Sequence, residues 1–157
     1  MKKILFVCTG NSCCSPLAET ILRKMLAEEG ITHVSIASAG TCDCGSTPRD
    51  HEMSAIAAEK GYVMEGTSTH VSHACLDDAD LILVMEQMHY DEITRWLSYS
   101  RWERIKLFVP FCFEKQAPLP DPSYGTDTLY RKVCDTIEKG CRILADKIKA
   151  GEILKEK

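Results

Sequence analysis

The sequence predicts a single three-layer α/β domain, in which helices cover both faces of a twisted, four-stranded parallel sheet. Continuous apolar segments rich in β-branched residues alternate along the chain with segments of helical period, a pattern typical of strand-helix-strand units around a parallel sheet. The length of 157 residues fits one domain of about 150 residues. We therefore expect one domain over residues 1–157, without a linker or an internal repeat.

The first half of the chain supplies two strands and two helices. Strands are expected over residues 3–7 and 33–37, and helices over residues 16–29 and 49–60. The strands are short and apolar, whereas the first helix repeats apolar residues at four-residue spacing. Ser15 and Pro16 suit the N-cap and the first position of that helix. Gly61 is a typical residue for ending the second helix.

The second half completes the sheet. Strands are expected over residues 80–85 and 105–109, and helices over residues 71–76, 86–99 and 129–148. The third strand is a continuous apolar run, as in strands buried on both faces. Pro110 should end the fourth strand because proline has no N–H to donate. A loop with several prolines, including Pro118, leads to the last helix, which carries one apolar stripe.

Composition excludes several classes of protein. Nineteen Lys and Arg against 23 Asp and Glu give a formal charge of −4, which lacks the basic footprint of a nucleic-acid-binding protein. No window approaches the roughly 18 apolar residues of a bilayer helix, and the apolar start is too short for a signal peptide. We expect a cytoplasmic protein without membrane or nucleic-acid partners. Its nine cysteines should be reduced thiols, without zinc-site spacing, so neither a metal nor a cofactor is expected.

The loop after the first strand is the main candidate for a functional site, because ligands of parallel sheets bind at the carboxyl ends of strands. Residues 8–16 read Cys-Thr-Gly-Asn-Ser-Cys-Cys-Ser-Pro. Glycine and asparagine tolerate left-handed conformations, so such a loop can curl until its N–H groups and the helix N-terminus surround a tetrahedral oxyanion such as phosphate or sulfate. The cradle would consist of Thr9, Gly10, Asn11, Ser12, Cys13 and Cys14.

Cys8, at the end of the strand, would lie beneath the bound phosphoryl group. Convergent N–H groups and the positive end of a helix should favour its thiolate, as in other low-pKa cysteine nucleophiles. Ser15 could donate a hydrogen bond to that thiolate. We therefore expect Cys8 to be a nucleophile that Ser15 supports.

With this loop, the sequence resembles the low-molecular-weight protein tyrosine phosphatase family, and the resemblance extends over nearly the whole chain. The family loop, Cys-X-Gly-Asn-X-Cys-Arg-Ser-Pro, is matched at six positions, namely Cys8, Gly10, Asn11, Cys13, Ser15 and Pro16. Residues 121–125, Asp-Pro-Ser-Tyr-Gly, are similar to the family's second motif. The resemblance implies that Asp121 is the general acid, that Tyr124 is an aromatic wall for the substrate, and that Ser38 and His70 help Asn11 to hold the loop.

One departure from the family pattern bears on activity. Cys14 stands where the family has arginine, whose planar guanidinium would hold two phosphoryl oxygens and stabilise the transition state. Its loss should reduce turnover by on the order of 10³-fold or more. Arg49 is a conceivable replacement, but the spacing does not place it in the site.

The sequence therefore leaves several functions open. The first is a phosphatase that acts on phosphorylated protein or a small aryl phosphate, strongly impaired by Cys14. Ser12, a small hydroxyl residue as in the related protein-arginine phosphatases, makes phosphoarginine the closest alternative substrate. An inactive phosphoryl-binding module and a redox module are also possible, since the resemblance implies a reversible Cys8–Cys13 disulfide. Arsenate reduction is disfavoured by the same comparison. The resemblance implies that the arsenate reductases of this fold carry a later pair of cysteines, and this sequence has no counterpart of that pair near Cys75.

Overall fold

The computed structural model describes residues 1–117 and 119–156. One sheet contains the four strands, β1 (Lys2–Cys8), β2 (Val34–Gly40), β3 (Leu81–Val84) and β4 (Ile105–Leu107). They lie in the order β2-β1-β3-β4, and all neighbouring pairs are parallel. The helices are α1 (Cys14–Glu28), α2 (His51–Glu59), α3 (His73–Asp78), α4 (Gln87–Ile93), α5 (Phe108–Phe113) and α6 (Asp127–Lys149), with a 3₁₀ segment over Tyr99–Arg104. The predicted α/β fold is confirmed.

The sheet is buried on both faces, which makes the three layers. Ile4 and Phe6 of β1 belong to a cluster built with α1, α2, α5 and α6. Leu5 and Val7 belong to a second cluster, to which α3 and α4 contribute. Because successive side chains of a strand point to opposite faces, the continuous apolar runs of the sequence become strands that serve two cores at once.

The strand order places a crevice beside β1. The chain leaves β1 toward β2 on one side and leaves β3 toward β4 on the other, so the two following loops diverge. Such a topological switch point is where open parallel sheets bind their ligands. The loop between β1 and α1 is therefore in the position expected for a site.

The start of α1 differs from the prediction. Helix α1 begins at Cys14, and Cys13 is its N-cap without a side-chain capping bond. Ser15, the predicted N-cap, lies inside the helix, and its hydroxyl group contacts the sulfur of Cys8. The capping prediction was wrong because this serine hydroxyl is engaged by the loop instead.

The fourth strand is also shorter than predicted. Strand β4 ends at Leu107, and Pro110 lies at the third position of helix α5. An N–H at that position has no acceptor within the helix, so proline is tolerated there. The prediction of a strand that ends at Pro110 was wrong for this reason. Pro118, in the predicted proline-rich loop, lies outside the described residues.

The predicted helix over residues 86–99 ends early. Helix α4 stops at Ile93, and the N–H groups of Arg95 and Trp96 then make tighter i to i−3 bonds, to the carbonyls of Glu92 and Ile93. The side chain of Trp96 then packs against the second core cluster. Across residues 1–117 and 119–156, no helix combines the length and the apolar character needed to cross a membrane.

One cysteine pair corrects the expectation of reduced thiols. Cys42 and Cys44 form a disulfide in the loop after β2, with Cα atoms 5.4 Å apart, within the usual range of roughly 4.4–6.8 Å. The remaining seven cysteines are free. A Cys-Asp-Cys sequence carries no spacing signal for a disulfide framework, and only the turn of this loop brings the two sulfurs together.

Candidate active site

The loop between β1 and α1 lines a pocket of about 320 Å³ at the carboxyl ends of the strands. Eight of the residues predicted for the site line this pocket, namely Cys8, Thr9, Gly10, Ser12, Cys13, Cys14, Asp121 and Tyr124. Five further residues complete the lining, namely Met85, Glu86, His89, Leu119 and Ser123. The structure thus brings the two distant sequence motifs to one place.

The loop backbone is arranged to receive an anion. The carbonyl groups of residues 8, 9, 11, 12 and 13 all accept hydrogen bonds from groups outside the pocket lining. Within the described part of the chain, the N–H groups of Gly10, Ser12 and Cys13 donate to no protein acceptor. A loop that directs its carbonyl groups into protein bonds and leaves its N–H groups free is suited to a tetrahedral oxyanion.

Asn11 holds the loop in this shape. It is fully buried and left-handed, with φ 52°, a conformation that asparagine tolerates better than most residues. Its Nδ2 donates to the hydroxyl groups of Ser15 and Ser38, both at 2.9 Å, and its Oδ1 accepts from the N–H of Thr69 at 2.8 Å. Asn11 and Ser38 therefore belong to one network that joins the loop to β2.

His70 does not join that network. Among the hydrogen bonds of the described residues, its ring makes none with Asn11 or Ser38, and it packs edge-on against Trp96 with ring centroids 5.6 Å apart. The N–H of the preceding residue, Thr69, holds Asn11 instead. The expectation that the His70 side chain supports the loop is therefore corrected, because a backbone donor occupies that role.

Gly40 allows β2 to approach the loop closely. A Cβ atom at this position would lie 2.5 Å from the carbonyl oxygen of Thr9 and 3.0 Å from the N–H nitrogen of Asn11. Both contacts are with backbone, which cannot move aside without reshaping the loop. Glycine at position 40 is therefore required for the geometry of the pocket.

Ser15 is placed to donate to the sulfur of Cys8. The Sγ to Oγ distance is 2.8 Å. Because the Ser15 oxygen already accepts from the Asn11 amide at 2.9 Å, its hydroxyl hydrogen is available for the sulfur. The network thus ends on Cys8, as the sequence led us to expect.

The ionisation of Cys8 differs from the expectation. Burial raises the pKa of the Cys8 thiol, and the hydrogen bonds from the Ser15 side chain and from the backbone of Ser15 and Asn11 oppose this effect without overcoming it. The expected low pKa is therefore not found. The physical reason is that Cys8 is buried, with 8 % of the residue exposed, and its sulfur loses more hydration than the loop's hydrogen bonds return when none of the described lining residues is a lysine or arginine.

Cys14 contributes no charge to the pocket. A hydrogen bond with Cys13, together with burial, raises the pKa of the Cys14 thiol well above its usual value, so this side chain is neutral. The lining residues that the structure describes include no lysine or arginine and two carboxylates, Glu86 and Asp121. Its side chains are therefore poorly suited to a dianion, and the backbone N–H groups must supply the attraction.

Arg49 lies behind the loop and is not part of the pocket lining. Its Nη1 donates to the carbonyl oxygen of Asn11 and, at 3.2 Å, to the Asn11 Oδ1. Its Nε donates to the carbonyl of Glu65 at 2.9 Å. Burial lowers the pKa of Arg49, and attraction to Glu19 and Cys8 opposes this. The guanidinium therefore braces the loop from outside and does not replace the missing arginine.

The second motif forms the exposed side of the pocket. Asp121 is exposed, and its Oδ1 accepts from the N–H of Ser123 at 3.0 Å. Tyr124 has a φ of 63° and is fully exposed, so no neighbouring residue covers its ring. The arrangement places a carboxyl group and an aromatic ring at the mouth of the pocket.

Glu86 and His89, just after β3, are pocket residues that the sequence analysis missed. The N–H of Glu86 donates to His89 Nδ1 at 3.0 Å, so His89 Nε2 carries the hydrogen and donates to the Thr9 hydroxyl at 2.8 Å. Burial lowers the pKa of His89, and burial followed by repulsion from Asp121 raises the pKa of Glu86. The signal that could have found Glu86 is its position at the carboxyl end of the third strand.

Comparison with known proteins gives a consistent result. The family model for "low molecular weight phosphotyrosine protein phosphatase" matches residues 3–154. The low molecular weight protein-tyrosine-phosphatase YfkJ of Bacillus subtilis is 30% identical over 149 residues, which covers 92% of this chain and 94% of the relative. The protein-arginine-phosphatase of the same organism is 28% identical over 147 residues, covering 93% and 96%.

Solved structures lead to the same family. The crystal structure of the protein tyrosine phosphatase from Entamoeba histolytica, with Hepes in its active site, superimposes with a TM-score of 0.89 at 29% identity, covering 98% of this chain and 100% of that one. Fold, loop motif and nearly full-length similarity all agree. The chain belongs to the low molecular weight phosphotyrosine protein phosphatase family.

Proposed function

We propose that the chain is a phosphomonoester hydrolase of the protein-tyrosine-phosphatase type, in which Cys8 is the nucleophile and Cys14 makes turnover slow. The family acts through a cysteine nucleophile, and its members are phosphatases. The observation that carries the assignment to Cys8 is its position in the pocket, 2.8 Å from Ser15 Oγ, within a loop whose free N–H groups suit a phosphoryl group.

The reaction would proceed in two displacements. The Cys8 thiolate attacks phosphorus in line, the bond from phosphorus to the leaving oxygen breaks, and Asp121 protonates that oxygen. Water then attacks the cysteinyl phosphate, Asp121 takes the proton of the water, and the S–P bond breaks to release phosphate. Ser15 stabilises the sulfur anion that leaves in the second step. The position of Asp121 and Cys8 in one pocket supports these roles.

Substrate binding would rest on the backbone. We assign the phosphoryl oxygens to the N–H groups of residues 9–14, so that phosphate or sulfate should bind there too. Tyr124, exposed at the mouth, would stack on the phenyl ring of a phosphotyrosine or a small aryl phosphate. A phosphorylated protein is thus the favoured partner.

The low activity follows from charge. Among the described residues, no lysine or arginine lines the pocket, and Cys14 is neutral there. Loss of a charge-stabilising donor typically reduces turnover by on the order of 10³-fold. The raised pKa of Cys8 reduces the reactive thiolate further at neutral pH. Both effects have the same origin, the missing guanidinium.

Phosphoarginine is the second candidate substrate. Glu86 and Asp121 both line the pocket, and two carboxylates favour a leaving group that carries positive charge, as a guanidinium does. Ser12 supplies a small hydroxyl side chain in the loop. A relative of 28% identity is named a protein-arginine-phosphatase, which supports testing this substrate beside phosphotyrosine.

We further propose that one phosphatase domain spans residues 1–157 and works in the cytoplasm. Seven of the nine cysteines are free thiols, as is typical of proteins in a reducing compartment. Fractionation of cells that produce the untagged chain would test the location.

The decisive experiment restores the missing charge. Cys14→Arg should raise turnover of an aryl phosphate by on the order of 10³-fold. The matched control is Cys75→Arg, which adds the same charge at a partly exposed cysteine outside the pocket and should leave turnover unchanged. If the unmodified chain is already as fast as Cys14→Arg, the account of the missing guanidinium is wrong.

The same proteins separate the candidate functions. Phosphotyrosine and phosphoarginine peptides should be compared in the unmodified chain and in Cys14→Arg, with Cys8→Ser as the control that abolishes turnover in both. Faster release of phosphate from phosphotyrosine supports the favoured substrate, and faster release from phosphoarginine supports the second. Sulfate or phosphate binding without turnover in either protein would indicate a phosphoryl-binding module.

A further inference from the structure

The Cys42–Cys44 disulfide has no part in the proposed phosphatase reaction. It joins two residues separated by Asp43, in the loop that follows β2. Cys44 is exposed, and Cys42 is partly exposed. The other cysteines are buried except for the partly exposed Cys75. The exposed sulfur chemistry of the molecule is therefore concentrated in this pair.

A stabilising role does not account for the bond. A disulfide stabilises a protein mainly by restricting the unfolded chain, and the effect grows with the length of the closed loop. The sequence separation of Cys42 and Cys44 is 2, and only a disulfide between adjacent cysteines would close a shorter loop. The bond therefore restricts the unfolded chain very little. Exposed disulfides are also the ones that exchange readily with external thiols. Position and loop size thus favour a reactive bond.

The pair is attached directly to the phosphate loop. The N–H of Cys42 donates to the carbonyl of Thr9 at 2.9 Å, and the N–H of Thr41 donates to the carbonyl of Cys8 at 2.9 Å. These two bonds fix the backbone of Cys42 beside the pocket. Cys44, farther along the loop, remains open to solvent.

We propose that Cys42 and Cys44 form a redox-active pair that exchanges electrons with external dithiols. A thiolate of the dithiol attacks the exposed Cys44 sulfur, the Cys42–Cys44 bond breaks, and Cys42 leaves as a thiolate that takes up a proton. The second thiol of the donor then attacks the mixed disulfide and releases Cys44. The donor is oxidised to a disulfide, and the pair gains two electrons and two protons. This site is separate from the phosphatase chemistry and does not depend on it.

The test uses the intact chain in mixtures of reduced and oxidised dithiothreitol, followed by acid quenching, thiol alkylation and tryptic digestion. The peptide over residues 25–49 contains Cys42 and Cys44 as its only cysteines, whereas the phosphate-loop cysteines fall in the peptide over residues 4–23. We expect the first peptide to gain two alkyl groups together, reversibly, as the mixture becomes more reducing. Cys75→Ala should behave like the unmodified chain, and Cys44→Ser should lose the paired transition.

The kinetics distinguish reaction of the folded protein from reaction after unfolding. The rate of reduction should increase linearly with dithiothreitol concentration and should be insensitive to low urea. A rate independent of dithiothreitol, or reduction only in unfolding urea, would overturn the proposal. So would a pair that stays reduced in excess oxidised dithiothreitol, or a disulfide that links the peptide over residues 25–49 to the peptide over residues 4–23.

Discussion

At the scale of single residues, the proposed chemistry depends on how Cys8 ionises. Thiolates, and not thiols, attack phosphorus. Burial raises the pKa of Cys8, and Ser15 and the loop backbone only partly offset it. The same loop that excludes water from the sulfur therefore makes the thiolate of the proposed nucleophile harder to form. A guanidinium at position 14 would change this balance because an opposite charge within ~4–6 Å lowers such a pKa by roughly 1–3 units.

This balance predicts the pH dependence of turnover. With an activated aryl phosphate, kcat/KM of the unmodified chain should keep rising toward and beyond pH 9, because the pKa of Cys8 is raised from 9.0 and the thiolate fraction grows with pH. In Cys14→Arg the same rise should end about 1–3 pH units lower. The measurement is the pH profile of kcat/KM for both proteins. Two profiles with the same midpoint would contradict the electrostatic account.

Arg49 tests a second residue-scale effect. Its guanidinium donates to the carbonyl and side chain of Asn11, which is fully buried. Arg49→Met removes the charge and the donors, and a buried acceptor left unpaired costs about 1–3 kcal/mol. We expect the free energy of unfolding to fall by about that amount and the midpoint of the pH profile to rise, since attraction between Arg49 and Cys8 is lost.

The matched control for Arg49 is Arg95→Met. The Arg95 side chain is 77% exposed and, among residues 1–117 and 119–156, forms an ion pair with Glu92 alone, and such surface pairs contribute about 0–1 kcal/mol. Urea denaturation and the pH profile should therefore show little change. Equal effects of the two substitutions would reject a bracing role for Arg49.

At the scale of elements, sequence patterns located the strands better than the ends of helices. Strands β1 and β3 were predictable because both are continuous apolar runs that must be buried on two faces. The β4 to α5 transition was not, since Pro110 is compatible with the first turn of a helix as well as with the end of a strand. Early termination of α4 also depends on tertiary packing, here of Trp96 on the second cluster.

The site divides in a similar way. The residue types of the loop predicted an anion cradle after a strand, and the loop does line the pocket. His89 was missed because its contact with Thr9 spans 80 residues of sequence, and Glu86 was missed because it enters the pocket from a strand end far from the loop in sequence. The sequence also could not show that the backbone N–H of Thr69, and not the His70 side chain, binds Asn11. A pattern of side chains carries no information about which backbone donor is used. The direction of the Cys8 pKa shift could not be predicted from the sequence, because it depends on how deeply the folded protein buries the thiol.

Helix α6 provides a test of element packing. Gly140 lies within α6, and a Cβ atom there would lie 2.4 Å from the Phe108 ring. Alanine would favour the helix by about 1 kcal/mol, but overpacking of a core typically costs about 1–3 kcal/mol. We expect Gly140→Ala to lower the free energy of unfolding, as measured by urea denaturation, because the ring must move.

Two further variants check the cause. Lys139→Ala, at an exposed position of the same helix, should leave stability nearly unchanged. Phe108→Leu should cost less in the Gly140→Ala background than alone, because the smaller side chain relieves the contact, and this coupling is what a double-mutant cycle measures. An increase in stability for Gly140→Ala would show that the helices separate without penalty.

At the scale of the whole molecule, the main core contains several free thiols. Cys112 of α5 and Cys134 and Cys141 of α6 are at most 3% exposed. Burial raises the pKa of Cys112 to about 12 and that of Cys134 to about 11, and it raises the pKa of Cys141 well above its usual value. The folded protein therefore keeps these protons at pH values where the unfolded chain releases them.

This difference predicts that stability declines in alkali. Above about pH 9, where the thiols of an unfolded chain ionise, the unfolded state binds fewer protons than the folded state, so the free energy of unfolding falls as pH rises. Each such thiol contributes up to about 1.4 kcal/mol per pH unit until its folded-state pKa is reached. Urea midpoints measured across this range, on protein kept reduced, should follow that decline.

In Cys134→Val, which replaces the thiol by an apolar group of similar size, the decline between pH 9 and about 11 should be shallower by the contribution of one thiol. An unchanged slope would mean that the core opens to water before Cys134 ionises, and the layers around α6 would then be less tightly closed than their burial indicates.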